Sequence, residues 1–88
     1  MSSAGKYAIQ IKKSAEREMD SLPSRVFSRI SGEILKLECT PRPRGCKKLR
    51  GRHEYRIRVG SYRVLYIVDD MSRMVEIVAV GHRRDVYR

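Results

Sequence analysis

Between residues 55 and 68 apolar side chains fall on every second position, and the parity changes once, at Gly60-Ser61. Tyr55, Ile57 and Val59 alternate with Arg56 and Arg58. Tyr62, Val64, Tyr66 and Val68 alternate with Arg63, Leu65 and Ile67. A period of two belongs to a strand buried on one face, and a two-residue break led by glycine marks a tight hairpin. A turn at Gly60-Ser61 fixes the register: Tyr55 faces Tyr66, Ile57 faces Val64, and Val59 faces Tyr62, all on one apolar face. On the other face Arg58 stands across from Arg63, with Arg56 two residues along and Leu65 and Ile67 on the same side. Like charges directly opposite on a sheet destabilise it, by a few tenths to ~1 kcal/mol. An anion bound between them removes the conflict. The structural alternative is that Glu54 or the acidic turn Asp69-Asp70 neutralises the group.

Upstream, Tyr7, Ile9 and Ile11 alternate with Ala8 and Gln10, which predicts a short strand. Ser14 offers an N-cap to a helix carrying Ala15, Met19 and Leu22 on one face, and Pro23 stops it. Ser24 offers a second N-cap, followed by Val26, Phe27, Ile30, Ile34 and Leu37 at helical spacing. The two helices are joined so closely that they form a hairpin. Thr40-Pro41-Arg42-Pro43-Arg44-Gly45 makes a loop. A turn over 69–73 and a mostly apolar strand over 74–80 follow the β-hairpin, and the tail begins at Gly81. The predicted fold class is α+β, in the order β-α-α-β-β-β, a mainly antiparallel sheet with a helical hairpin packed on one face. Residues 1–88 read as a single domain with a loose N-terminus at 1–5.

The net charge is +10, and it is not spread evenly. Residues 39–68 carry nine Lys and Arg against one acid, Glu54, and seven of the nine are Arg. Arginine forks onto phosphate, whereas lysine suffices for solubility. A pI near 10.2 therefore points to nucleic acid, the ribosome or an acidic protein as partner. Lys47, Lys48, Arg50 and Arg52 approach the sheet from the loop and suit phosphate-backbone contacts. No apolar run approaches a membrane span, and the first seven residues do not read as a signal peptide. Cys39 and Cys46 fit no metal spacing or disulfide framework and read as reduced thiols of a cytoplasmic protein. Dinucleotide-binding enzymes, membrane proteins and secreted disulfide scaffolds are excluded on these grounds.

The chain shows no carboxylate pair, no Cys/His pair at a useful spacing, no phosphate loop and no metal-ligand cluster, so no cofactor is expected. A metal-free reaction on RNA is compatible with it. The 2′-hydroxyl is a nucleophile already beside its phosphate, and the protein need only set geometry, stabilise charge and move protons. The arginines meet the charge requirement. They do not lose protons in a protein, so His82 and Tyr87, beside Arg83 in the tail, are the candidates for proton transfer. Tyr87 also suits stacking on a base.

Three segments resemble the RelE/ParE superfamily of toxins from type II toxin–antitoxin systems. They are Lys48-Leu49-Arg50-Gly51, the hairpin Tyr55-Arg56-Ile57-Arg58-Val59 to Tyr62-Arg63-Val64-Leu65-Tyr66, and the end Val80-Gly81-His82-Arg83-Arg84-Asp85-Val86-Tyr87. The last looks like the RelE branch, whose members cleave mRNA in the ribosomal A site. The resemblance implies a toxin silenced by an acidic antitoxin and acting on ribosome and mRNA, with no membrane or small-molecule cofactor involved. It carries basic positions over to Arg50, Arg63 and Arg83, and a C-terminal tyrosine to Tyr87. Arg56 and Arg58 match positions that are lysines in the best-known members, so either Tyr87 or His82 takes the base role or the protein relies on positioning and charge alone. The chain stops at Arg88, so no further C-terminal helix is expected. The alternatives are a ParE-like toxin that inhibits DNA gyrase by binding it, and a non-catalytic RNA-binding protein.

Overall fold

The structure is a computed structural model and describes residues 6–82. The predicted elements are present in the predicted order, with one addition. They are β1 (Ala8–Ile11), α1 (Lys13–Asp20), α2 (Ser24–Lys36), β2 (Lys47–Lys48), β3 (Tyr55–Val59), β4 (Tyr62–Asp69) and β5 (Met74–His82). The sheet has the order β1-β5-β4-β3-β2. Only β1 and β5 run parallel; the other neighbours are antiparallel. Among the described residues no helix is long and apolar enough to cross a membrane.

The hairpin register is the one the alternation dictates. Tyr55 pairs with Tyr66, Ile57 with Val64, Arg58 with Arg63 and Val59 with Tyr62. Gly60 takes φ +63°, whereas Ser61 does not enter the left-handed region, as a turn with glycine first requires. The helical hairpin covers the apolar face. Ala15 and Met19 of α1, with Ile30, Ile34 and Leu37 of α2 and its C-terminal end, pack on Ile57, Val59, Val64, Tyr66, Val75, Ile77 and Val80. Phe27 is more exposed than its spacing suggested, at 38%. At 100° per residue it sits on the rim of a stripe centred near Ile30.

Neither serine caps a helix. The N-cap of α1 is Lys12 and that of α2 is Pro23, and neither makes a side-chain capping bond. The Lys12 N–H donates to the Ile77 carbonyl at 2.9 Å, so the chain turns straight from the β1–β5 ladder into α1 and leaves Ser14 inside the first turn. Pro23, with φ −56°, already has a near-helical φ, and its carbonyl accepts from the Phe27 N–H at 2.9 Å, so α2 begins at Ser24 itself.

The β4–β5 ladder is interrupted. Leu65 pairs with Ala79 but Tyr66 with Ile77, so Val78 is one residue too many on β5. This bulge lets Val75, Ile77 and Val80 all reach the helix-covered face, where each is at most 1% exposed. Beyond Ile77, β5 has no β1 neighbour, and the Val80 N–H finds Glu18 Oε1 of α1 at 2.8 Å instead.

Candidate phosphate-binding face

The face turned away from the helices is built by the alternation of β3 and β4. Arg58 and Arg63 are directly opposed, and Arg56 lies two residues along β3 on the same side. The strand β2 adds a fourth cation. Lys47 is the partner of Arg56, and residues directly opposite on a ladder project to the same face. The sequence pattern groups Lys47 with Lys48, Arg50 and Arg52 in one loop, whereas Lys47 and Lys48 form β2. The fold separates those four. Lys48 is opposite Tyr55, on the alternate face. Arg50 is exposed in a turn. Arg52 donates through Nε and Nη2 to Glu54 at 3.1 and 3.2 Å.

The three carboxylates that the sequence offers as counter-charges, Glu54, Asp69 and Asp70, make other bonds. Glu54 is taken by Arg52, whose hydrogen bond holds the carboxyl below its ordinary pKa. Asp70 accepts from Arg42 Nη2 at 2.8 Å and from the Tyr7 hydroxyl at 2.7 Å. Asp69 accepts the Met71 and Ser72 amides of its own turn. The ion pairs among the described residues include neither Lys47, Arg56 nor Arg58. The face is also partly enclosed. Leu65 is 1% exposed and Arg56 7%, Arg63 is half-buried, and Arg58 and Lys47 are open.

Because β2 is two residues long, β3 has an open edge beyond Arg56. A groove of about 420 Å³ lies along it, lined by Glu33 and Lys36 of α2, Pro43, Arg44 and Gly45 of the loop, and Lys47, Arg56, Ile57 and Arg58. Glu33 and Lys36 pair with each other at 3.0 Å, so the groove keeps a surplus of positive charge.

The loop that forms its wall is held by contacts that the local sequence pattern does not specify. Arg42 lies over the Tyr55 ring, 5.2 Å from its centroid, donates from Nε to the Tyr55 hydroxyl at 3.0 Å, and grips Asp70 through both terminal nitrogens. Tyr66 donates its hydroxyl to the Pro41 carbonyl at 2.8 Å, and burial pushes that phenol's pKa up. Tyr55 and Tyr66, paired in the register, stack at 5.9 Å. The Pro-Arg-Pro-Arg-Gly composition marked a loop, but nothing in it announced an anchor in a turn 28 residues away.

His82 does not join the arginines. It is the ladder partner of Tyr62, whose ring it meets edge-on at 5.8 Å, so it lies on the helix-side parity of the sheet. Arg83 and Tyr87 lie outside the described residues, as do residues 1–5. A crowd of guanidinium groups of this kind can hold a phosphate and stabilise added negative charge on it, but it cannot accept a proton.

A family model described as the ParE toxin of type II toxin–antitoxin systems, parDE, matches residues 9–87. Toxin RelG from Mycobacterium tuberculosis is 32% identical over 90 aligned positions, covering 93% of this chain and 97% of the relative. A chain of the toxin–antitoxin complex RelBE2 from the same organism superposes with a TM-score of 0.80 at 31% identity, covering 89% of this chain and 99% of that one. The archaeal RelE–RelB complex from Pyrococcus horikoshii gives a TM-score of 0.80 at 30% identity, with coverage of 92% and 99%. Sheet order, helical hairpin and matched length together define a toxin of the toxin–antitoxin class. The chain belongs to the RelE/ParE superfamily of these toxins.

Proposed function

We propose that this toxin is a ribosome-dependent mRNA endoribonuclease that directs the RNA 2′-hydroxyl onto its adjacent phosphate without a metal or cofactor. The observation that carries the reading is the opposition of Arg58 and Arg63 beside Arg56, with the nearby carboxylates Glu54, Asp69 and Asp70 committed elsewhere. Arg56, Arg58 and Arg63 hold the scissile phosphate and offset the charge that grows on it, each well-placed donor contributing ~10²–10³ in rate. Arg83 adds to that charge stabilisation, and Tyr87 takes the 2′-proton or stacks on a base. His82 is set aside from the base role, because the register directs it to the alternate parity. Lys48, Arg50 and Arg52 contact ribosomal RNA, whereas Lys47 is set on the arginine face. The two solved relatives described above come from toxin–antitoxin complexes, which supports an acidic antitoxin that covers the arginine face or displaces an element beside it.

The test is to add the protein to programmed ribosomes and map the message ends. New ends at the A-site codon are expected, and intact message overturns the enzyme reading. The second reading is inhibition of DNA gyrase by binding, favoured by the ParE description of the family model. A supercoiling assay separates them. Replacing Arg83 and Tyr87 together abolishes the action of an enzyme and leaves a gyrase binder largely unaffected.

A further inference from the structure

The ribonuclease reading needs a proton for the departing 5′-oxygen, and the arginine trio has none to give. On the face that bears the trio, the described strand residues with a transferable proton are Lys47 on β2, Asp69 on β4 and Glu76 on β5. Asp69 lies six residues along β4 from Arg63, about 20 Å at strand rise, and accepts the amides of its own turn. Glu76 is the partner of Ile67, four residues along β4 from Arg63, about 13 Å at strand rise and farther from Arg58. Lys47 is the direct partner of Arg56, about 5 Å across the ladder, and one diagonal step from Arg58. It lines the same groove as both, between Arg44 and the open edge of β3. It makes no ion pair among the described residues. The lysine head group is a donor with no acceptor, which suits it to give a proton and not to take one.

Resting on the ribonuclease reading, we infer that Lys47 is the general acid of the reaction, donating a proton from Nζ to the 5′-oxygen as it leaves. The 2′-oxygen forms a bond to phosphorus, and its proton passes, through Tyr87 or directly, to water. The bond from phosphorus to the 5′-oxygen breaks, its electron pair stays on that oxygen, and the Nζ proton joins it. The products are a 2′,3′-cyclic phosphate and a 5′-hydroxyl, and Lys47 regains its proton from water. The arginines clamp the phosphate while the lysine supplied by the neighbouring strand does what they cannot.

The experiment compares two messages on programmed ribosomes, one with the ordinary scissile linkage and one in which sulfur replaces the 5′-oxygen. A thiolate leaves without a proton at neutral pH, since a thiol is far more acidic than an alcohol. Lys47→Arg and Lys47→Met are each expected to slow cleavage of the ordinary message by ~10²–10⁴-fold. Both should recover to within roughly tenfold of the wild type on the sulfur message, where no general acid is called for. Lys47 is exposed on a two-residue strand, so both variants should keep the wild-type thermal midpoint. A Lys47→Arg variant that cleaves the ordinary message at the wild-type rate overturns the inference, because charge alone then suffices. So does an equal defect on both messages, or recovery on sulfur shown by Tyr87→Phe in place of the Lys47 variants. A wild-type protein that leaves both messages intact overturns the ribonuclease reading itself.

Discussion

Arg58 is the direct ladder partner of Arg63, on the sheet face that the helices leave uncovered. Such an opposition costs stability in the free protein, so Arg58→Thr, which also suits a strand, should stabilise it by a few tenths to ~1 kcal/mol. In a domain of this size that raises the melting midpoint by up to ~4–8 °C. Cleavage on ribosomes should fall by ~10²–10³-fold in the same variant. Inorganic phosphate should raise the wild-type midpoint and lose much of that effect in Arg58→Thr. Calorimetry with and without phosphate checks both halves.

Tyr66 ties the groove's wall to the sheet through its bond to the Pro41 carbonyl. Tyr66→Phe keeps the ring and leaves that acceptor unmatched, with an expected loss of ~1–3 kcal/mol in urea unfolding. The stability of the wild-type protein should fall on an alkaline limb linked to this phenol. Burial, chiefly, raises the folded pKa of this phenol above its unfolded value. Its contribution is therefore complete below about pH 10 and is lost as pH rises toward the folded pKa. Tyr66→Phe should flatten that limb.

Asp70 gives the acid counterpart. Its bond from Arg42, then that from Tyr7, holds the carboxyl below its ordinary pKa. A depressed folded pKa contributes stability above the unfolded value, about pH 4, and loses it as pH falls through the folded one. Asp70→Asn should make the melting midpoint less sensitive to pH below about 4, with a residual slope from Glu54, which Arg52 depresses in the same way. A pH series of thermal melts decides it.

Glu18 stands in for a missing strand, accepting the Val80 N–H where β1 has ended. Glu18→Ala removes the acceptor from a part-buried donor and should cost ~1–3 kcal/mol, whereas Glu18→Gln retains an oxygen and should cost less. Equal losses in the two variants would show that the acceptor is not what matters.

His82 lies with Tyr62 on the alternate parity of the sheet, so His82→Ala should leave message cleavage within a few-fold of the wild type. A loss comparable with that of Arg58→Thr would return it to the reaction.

The β3–β4 hairpin, its register and the opposed arginines were set by the sequence alone. A two-residue turn leaves one pairing, and a period of two assigns every side chain to a face, so residues 55–68 carry the whole answer locally. The helical hairpin was equally local, with Pro23 between two amphipathic stretches. Tertiary structure decided what depended on distant partners. Val78 and Ala79 are apolar, which hid the shift of parity between Ile77 and Val80. Only packing against the helices, which demands Val75, Ile77 and Val80 together, forces the bulge at Val78. Without it the register at the β4–β5 turn would carry His82 to the side of Arg63; with it His82 pairs with Tyr62. Lys47 looked like any cation in a basic loop until pairing of β2 with β3 set it across from Arg56. Arg42 and Asp70 found each other only when the loop folded back over Tyr55. The alternation placed three arginines on one face, and long-range pairing decided which proton-bearing groups stand beside them.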